Sequence, residues 1–157
     1  MALEIERKFL VRSHEYRRST EVEVIKQGYL SKESTRTVRI RVKGDQGFIT
    51  VKGRSINATR SEFEYIIPVK DAEQMLELCL TPLIVKQRFL VEHKGHTWEV
   101  DEFDGENKGL IVAEIELGSE DEAFEIPEWI GEEVTQDPKY FNSQLIHLPY
   151  SKWKVKS

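Results

Sequence analysis

From Leu3 to about Leu117, apolar residues recur at every second position, the period of a β-strand with one buried face. The first run sets Leu3, Ile5, Phe9 and Val11 against Glu4, Glu6, Lys8 and Leu10, and Arg7 is the one charge on the apolar side. A second strand is predicted from about Ile25 to Ser31, through Gln27-Gly28-Tyr29-Leu30. In the third, Val38, Ile40 and Val42 oppose Arg39, Arg41 and Lys43. The turn cluster Gly44-Asp45-Gln46-Gly47 leads into a fourth, with Ile49 and Val51 against Thr50 and Lys52. Phe63 and Tyr65 alternate with Arg60, Glu62 and Glu64 in the fifth. The sixth covers about Ile84 to His93, Lys94-Gly95 turns into a seventh through Trp98 and Val100, and the eighth carries Ala113, Ile115 and Leu117.

Helical signals are fewer. Asp71 with Gln74 three residues later reads as a capping box, Met75, Leu76 and Cys79 share one face, and Thr81-Pro82 stops the helix. A second short helix is predicted from Ser119, with Glu122 completing its box, to before Pro127. Asp137-Pro138 opens a third, through Tyr140 and Leu145. Residues 119–157 are therefore expected to be a mainly helical appendage of one domain spanning 1–157. The fold class that follows is mainly β (α+β). It is an eight-stranded antiparallel barrel or tunnel, closed so that no edge is left free, with short helices packed outside.

The charges change the picture, because they are sorted by sign, strand by strand. Acidic pairs two residues apart occur at Glu4/Glu6, Glu62/Glu64, Glu99/Asp101 and Glu114/Glu116, while Arg39, Arg41, Lys52, Lys86 and Arg88 occupy the third, fourth and sixth strands. Carboxylates at i and i+2 share a face and repel, so cations must lie opposite them. Two readings are open. The charged face is the wet side of a sheet laced with weak ion pairs, or it lines the lumen. A charged lumen suits a polyphosphate brought in with a divalent cation, since Arg and Lys bind phosphate oxygens and carboxylates suit Mg²⁺, Mn²⁺ or Ca²⁺ rather than Zn²⁺.

Composition narrows the class further. At 157 residues the chain is the size of one domain. Its 23 Lys+Arg against 28 Asp+Glu give a net charge of −5, which argues against a general nucleic-acid binder. No apolar run approaches the roughly 18 residues of a membrane span. The first residues show neither a signal-peptide nor a transit pattern, so a cytoplasmic protein is expected. The single cysteine, Cys79, excludes an intramolecular disulfide and a cysteine-cluster metal site, and is assigned to the core. There is no P-loop.

Glu4-Ile5-Glu6-Arg7-Lys8 resembles the E-x-E-x-K signature of the CYTH family, the triphosphate tunnel metalloenzymes. The resemblance continues through Gln27-Gly28-Tyr29-Leu30, Arg39-Ile40-Arg41, Thr50-Val51-Lys52, Arg60-Ser61-Glu62-Phe63-Glu64 and Lys86-Gln87-Arg88. Beyond these it includes Glu99-Val100-Asp101, Glu114-Ile115-Glu116 and Gly131-Glu132-Glu133-Val134-Thr135, and so covers nearly the whole chain. It is closest to the small bacterial inorganic triphosphatases.

The resemblance implies an eight-stranded tunnel that binds a triphosphate with Mg²⁺ or Mn²⁺. Carried over by position, Glu4, Glu6, Glu114 and Glu116 are metal ligands, and Asp101 is a further acidic ligand or water-orienting group. Glu62 and Glu64 support these ligands or a second metal. Lys8, Arg39, Arg41, Lys52, Lys86 and Arg88 bind phosphates, with Lys139 near the mouth. Lys86, among other cations, is a candidate for proton exchange, and Tyr29 either orients water or packs.

The implied substrate is tripolyphosphate, with class IV type cyclisation of ATP, or hydrolysis of a nucleoside or thiamine triphosphate, as alternatives; a non-catalytic polyphosphate-binding module is another. The partners expected are the triphosphate alone, with no nucleic acid or membrane, in a monomer or homodimer. Trp129, Trp153, Tyr140 and Phe141 are expected to pack outside the barrel, and Gly131-Glu132-Glu133 to be a solvated loop.

Overall fold

The computed structural model describes residues 3–153. The alternating segments form β1 (Leu3–Val11), β2 (Val22–Glu33), β3 (Arg36–Lys43), β4 (Gln46–Gly53), β5 (Thr59–Ile67), β6 (Ile84–His93), β7 (His96–Phe103) and β8 (Ile111–Glu116). They hydrogen-bond in the order β5-β4-β3-β2-β6-β7-β8-β1, and β1 pairs back onto β5 with Leu3 opposite Ser61 and Glu4 opposite Arg60. The eight-stranded antiparallel circle is closed. No helix among the described residues is long and apolar enough to cross a membrane.

Period-2 alternation decides which residues face in. Outside, Phe9, Phe89, Trp98, Val100, Ala113 and Ile115 are covered by Tyr16 and by Phe124, Trp129 and Ile130 of the later chain. A helix, α1 (Val69–Leu76), lies over β3 and β4, where Ala72, Leu76 and Cys79 pack on Ile40. Two glycines permit that approach: a Cβ on Gly28 would stand 2.7 Å from Leu83 Cδ2 and 2.8 Å from Cys79 Cβ, and one on Gly47 would stand 2.7 Å from Ala72 Cβ. The outer apolar side of β4–β5 is not covered, and Val51, Phe63 and Tyr65 are exposed there.

A third cluster closes one end of the lumen. Inward-facing Leu10, Tyr29, Ile84, Phe103 and Val112 meet Leu145 and Ile146, which belong to and follow the single-turn helix α2 (Asn142–Leu145). The barrel is thus a blind tunnel, apolar at its floor and charged above.

Four expectations need correction. α1 starts two residues before Asp71, with Pro68 at the N-cap and its carbonyl accepting from Ala72 N; Asp71 sits in the first turn, where a carboxylate still favours the helix N-terminus. The segment after Ser119 makes one turn and no helix, because Glu122 is taken up by Gly118 N at 2.6 Å and His96 Nε2 at 2.5 Å. Gly131-Glu132-Glu133 is not a loop but part of β9 (Ile130–Glu133), which pairs with the outer half of β1 after β5 has left that edge. Finally, 119–153 is mostly irregular, with β9, α2 and two 3₁₀ turns at Pro138–Tyr140 and Tyr150–Lys152. Arg7, the charge on the apolar side of β1, is accounted for: it forms a two-point ion pair with Glu133 of β9 and lies 4.9 Å from the Phe124 ring.

Candidate functional site

The inward faces enclose a cavity of about 200 Å³ lined by eight cationic and seven acidic side chains. Every one of the expected phosphate-binding residues on the strands (Lys8, Arg39, Arg41, Lys52, Lys86 and Arg88) reaches its surface. So do Glu4, Glu6, Glu62, Glu64, Glu114 and Glu116. Strand register then determines which charges are neighbours.

Lys52 lies opposite Glu62 and donates to both oxygens of Glu4, at 2.9 and 3.0 Å; Arg60 donates to Glu4 at 3.3 Å. Lys8 lies opposite Glu114 and bridges Glu6 Oε1 at 2.7 Å and Glu114 Oε1 at 3.2 Å. Arg39 donates to Glu64 and Thr50, and Thr50 Oγ1 donates to Glu64 at 2.7 Å. Arg39 Nε is buried without a partner. A buried donor left unpaired costs about 1–3 kcal/mol, which an anionic ligand reaching it would recover.

Burial and neighbours set the protonation states. Burial raises the Glu4 carboxyl, but the Lys52 charge, the hydrogen bonds from Glu62 and Lys52 and the Arg60 charge outweigh it and hold it at about 2. Glu6 is likewise about 2, with the Lys8 ammonium overcoming burial. Glu62 goes the other way, pushed up to about 7 by burial, by the Glu4 charge and by the hydrogen bond it shares with Glu4. Glu116 faces Glu6 across β1–β8 and is pushed up by burial and by Glu4, Glu6 and Glu99. Burial, with Arg39 and Arg88 nearby, lowers Arg41 to about 9, still charged at neutral pH.

Asp101 is not on the cavity surface. It is 1% exposed and lies behind the wall, where Arg88 grips it through Nε–Oδ1 at 2.8 Å and Nη2–Oδ2 at 3.0 Å, and Lys86 Nζ stands 2.7 Å from Oδ2. These cations overcome burial and hold it at about 2. With both oxygens committed to Arg88 and Lys86, it is placed to anchor those two cations. Lys86 is pushed down to about 7 by burial, with Arg88 and Arg41 adding to it against the pull of Asp101.

Tyr29 lines the cavity and belongs to the apolar floor, with burial pushing its hydroxyl up. Lys139 does not line the cavity. It is exposed, with Nζ 4.8 Å from the Trp153 ring and 5.2 Å from that of Tyr140, which itself packs on the floor rather than on the barrel's outside.

Gln27, Thr50, Arg60, Glu99 and Asn142 join the site although the sequence assigned them no role there, Glu99 having been read only as half of an acidic pair. The first four sit at inward positions of strands already identified, so strand parity was the available signal. Asn142 comes from α2 and carries none.

The donor set fits a hard cation. Glu6 opposite Glu116, and Glu99 opposite Glu114, form a carboxylate wall across β1, β8 and β7, and like charges directly opposite are destabilising without a counter-charge. Among the described residues no three of these groups converge closely enough to hold an ion as they stand, since Lys8 and Lys52 claim Glu6, Glu114 and Glu4.

Comparisons with known proteins agree with this arrangement. A family model described as the CYTH domain matches residues 2–145. An inorganic triphosphatase of Acetivibrio thermocellus is 48% identical over 155 residues, covering 98% of this chain and 99% of its own length. One from Nitrosomonas europaea is 35% identical over 146 residues, covering 90% and 95%. The solved structure of the inorganic triphosphatase NE1496 superposes with a TM-score of 0.65 at 34% identity, over 93% of this chain and 95% of that one. HpAC1 from Hippeastrum, 12% identical with a TM-score of 0.56 over 76% of this chain and 80% of its own, shares the fold. The charged tunnel, its ordered strand motifs and these likenesses together place the chain in the CYTH family.

Proposed function

We propose that this chain hydrolyses inorganic triphosphate (tripolyphosphate) to pyrophosphate and phosphate, with Mg²⁺ or Mn²⁺ bound in the tunnel. The observation that carries the reading is the sorting of eight cations and seven carboxylates around one blind cavity. A simple anion binder gains nothing from the carboxylates. At about 200 Å³ the cavity is smaller than the roughly 300–1,000 Å³ of pockets that bury drug-sized ligands, which favours a compact inorganic substrate over a nucleotide. The reading is of a cytoplasmic enzyme whose partner is the triphosphate itself.

Glu4, Glu6, Glu114 and Glu116, with Glu99 alongside, would hold the cation. When bound, it supplies charge neutralisation on phosphate oxygens and polarises phosphorus. Phosphoryl transfer otherwise asks for positioning and electrostatics. Arg39, Arg41, Lys52, Lys8 and Arg88 supply these by gripping the phosphate chain from the walls, the Arg39 Nε donor among them. Lys86, near neutral in its titration, gives its proton to the leaving phosphate oxygen. Glu62 and Glu64 hold Lys52 and Arg39 in place.

The test is phosphate release from tripolyphosphate and from ATP, each with Mg²⁺, with Mn²⁺ and with chelator, scoring cyclic AMP for ATP. Metal-dependent release from tripolyphosphate, lost in Glu116→Ala together with metal affinity, is expected. Cyclic AMP with pyrophosphate would make the chain a cyclase, and no turnover of either substrate would leave a binding module.

A further inference from the structure

At the floor of the tunnel one amide joins both cationic walls. Asn142 Oδ1 accepts from Lys86 Nζ at 2.7 Å and from Gln27 Nε2 at 3.0 Å. Gln27 Oε1 in turn accepts from Arg41 Nε at 2.8 Å. The direction of each amide is fixed by chemistry. Arg41 is a donor only, so Gln27 must turn its oxygen to Arg41 and its nitrogen to Asn142, and Asn142 must turn its oxygen toward Gln27, which also places it to accept from Lys86. The Asn142 Nδ2 hydrogens are left over. Among the described residues no protein group accepts from them, and Asn142 lines the cavity.

The amine beside it is similarly organised. Asp101 and Asn142 take two of the three Lys86 ammonium hydrogens, and Lys86 also lines the cavity. At this end the walls therefore present donors with no protein acceptor, next to the apolar cluster that closes the tunnel. An anion is the complement to such a place, and the end of a phosphate chain is the anion that a blind tunnel presents there.

We infer that Asn142 is a substrate-binding residue that donates from Nδ2 to the terminal phosphate at the tunnel floor while its Oδ1 positions Lys86. The inference rests on the triphosphate reading above and adds the contact that stops the chain at the floor. α2 is then more than a plug, since it supplies a contact to substrate from outside the strands.

Two variants separate this role from a structural one. Asn142→Asp keeps the shape and the acceptor oxygen for Lys86 and Gln27, but replaces the Nδ2 donors with a negative oxygen facing the phosphate. Asn142→Ala removes both functions. A ligand contact predicts that Asn142→Asp is the worse of the two. A merely structural residue predicts the reverse, with Asn142→Asp close to wild type.

The readouts are the KM and kcat for tripolyphosphate with Mg²⁺, and the Kd for tripolyphosphate in chelator by calorimetry, which reads binding without turnover. Asn142→Ala should raise KM and Kd by about 10-fold or more, the loss expected for hydrogen bonds to a charged group. Asn142→Asp should raise them further, at unchanged melting temperature. Wild-type KM in Asn142→Asp, or Asn142→Ala worse than Asn142→Asp in both constants, would overturn the inference. Wild-type protein that neither binds nor hydrolyses tripolyphosphate would instead bring down the triphosphate reading, and this contact with it.

Discussion

Asp101→Asn tests the most consequential difference between the strand pattern and the structure. Asparagine keeps the volume and one acceptor oxygen, so the wall stays packed while the charge between Arg88 and Lys86 disappears. A carboxyl held at about 2 instead of near 4 carries about 2–3 kcal/mol of charge-dependent stability. Its sign follows from the lowered value. The contribution is present above about pH 4 and is lost as pH falls toward 2. Truncation costs more, because two cations that are 6% and 1% exposed lose their counter-charge, and breaking a buried pair typically costs about 3–5 kcal/mol. At about 2–4 °C per kcal/mol for a chain of this size, the melting temperature without ligand should fall by roughly 6–20 °C. Mn²⁺ affinity, measured by calorimetry without substrate, should stay within about 3-fold, well under the 1.4 kcal/mol of a tenfold change. The stabilisation conferred by tripolyphosphate should grow, since the ligand then neutralises Arg88 and Lys86. A variant that melts within about 2 °C of wild type but binds Mn²⁺ much more weakly would refute the reasoning and make Asp101 a metal ligand.

Other perturbations separate the remaining parts. Gly28→Ala places a methyl against Leu83 and Cys79 on the α1 side of β2, and should lower the melting temperature by roughly 2–12 °C for about 1–3 kcal/mol of overpacking while leaving kcat per folded molecule unchanged. Glu62, held at about 7, keeps a proton that the unfolded chain gives up near pH 4.5, so its contribution to stability falls as pH rises from about 4.5 to 7. Glu62→Gln should flatten that slope in metal-free melts between pH 5 and 7. Lys86→Ala should cut kcat at saturating tripolyphosphate by roughly 100-fold or more, and unchanged turnover would remove Lys86 from the chemistry.

Strands β1 to β8 were legible because one face of each lines the charged lumen and the other is apolar, which imposes the period of two that the sequence displays, even in β5 where the apolar face is uncovered. β9 was not. Ile-Gly-Glu-Glu has too few residues to show a period, and it is a strand only because β5 leaves the β1 edge after Ile5. Inward parity also placed every strand-borne phosphate-binding candidate on one cavity. It could not tell Glu99 from Asp101, two residues apart on β7, since what separates them is the two-point grip of Arg88 on Asp101. Lys139 and Asn142 failed in opposite directions for one reason. Both lie on the irregular segment after β9, where no period relates sequence position to facing, so Lys139 stacks outside on Trp153 while Asn142 enters the tunnel floor. The alternation at Phe63 and Tyr65 marked the right face of β5, but alternation carries no information about what covers that face.

The ion pairs of the lumen divide into two kinds, and the division explains why one charged wall can both fold and bind. Asp101 spends both oxygens on Arg88 and Lys86 behind the surface, so a ligand cannot displace it without unfolding the wall. Lys52–Glu4 and Lys8–Glu6–Glu114 lie on the cavity surface, and their partners are interchangeable in kind. A phosphate oxygen can replace a glutamate at each lysine, and each glutamate so released gains an oxygen site for a cation. On the proposed function, the surface charges that neutralise one another here would open complementary anion and cation sites together when a triphosphate binds. By linkage, whatever binds at the lysines must raise affinity at the glutamates by the same factor as the reverse. Substitutions behind the surface should accordingly register first in the melting temperature, and substitutions on it first in the coupled affinities for triphosphate and metal.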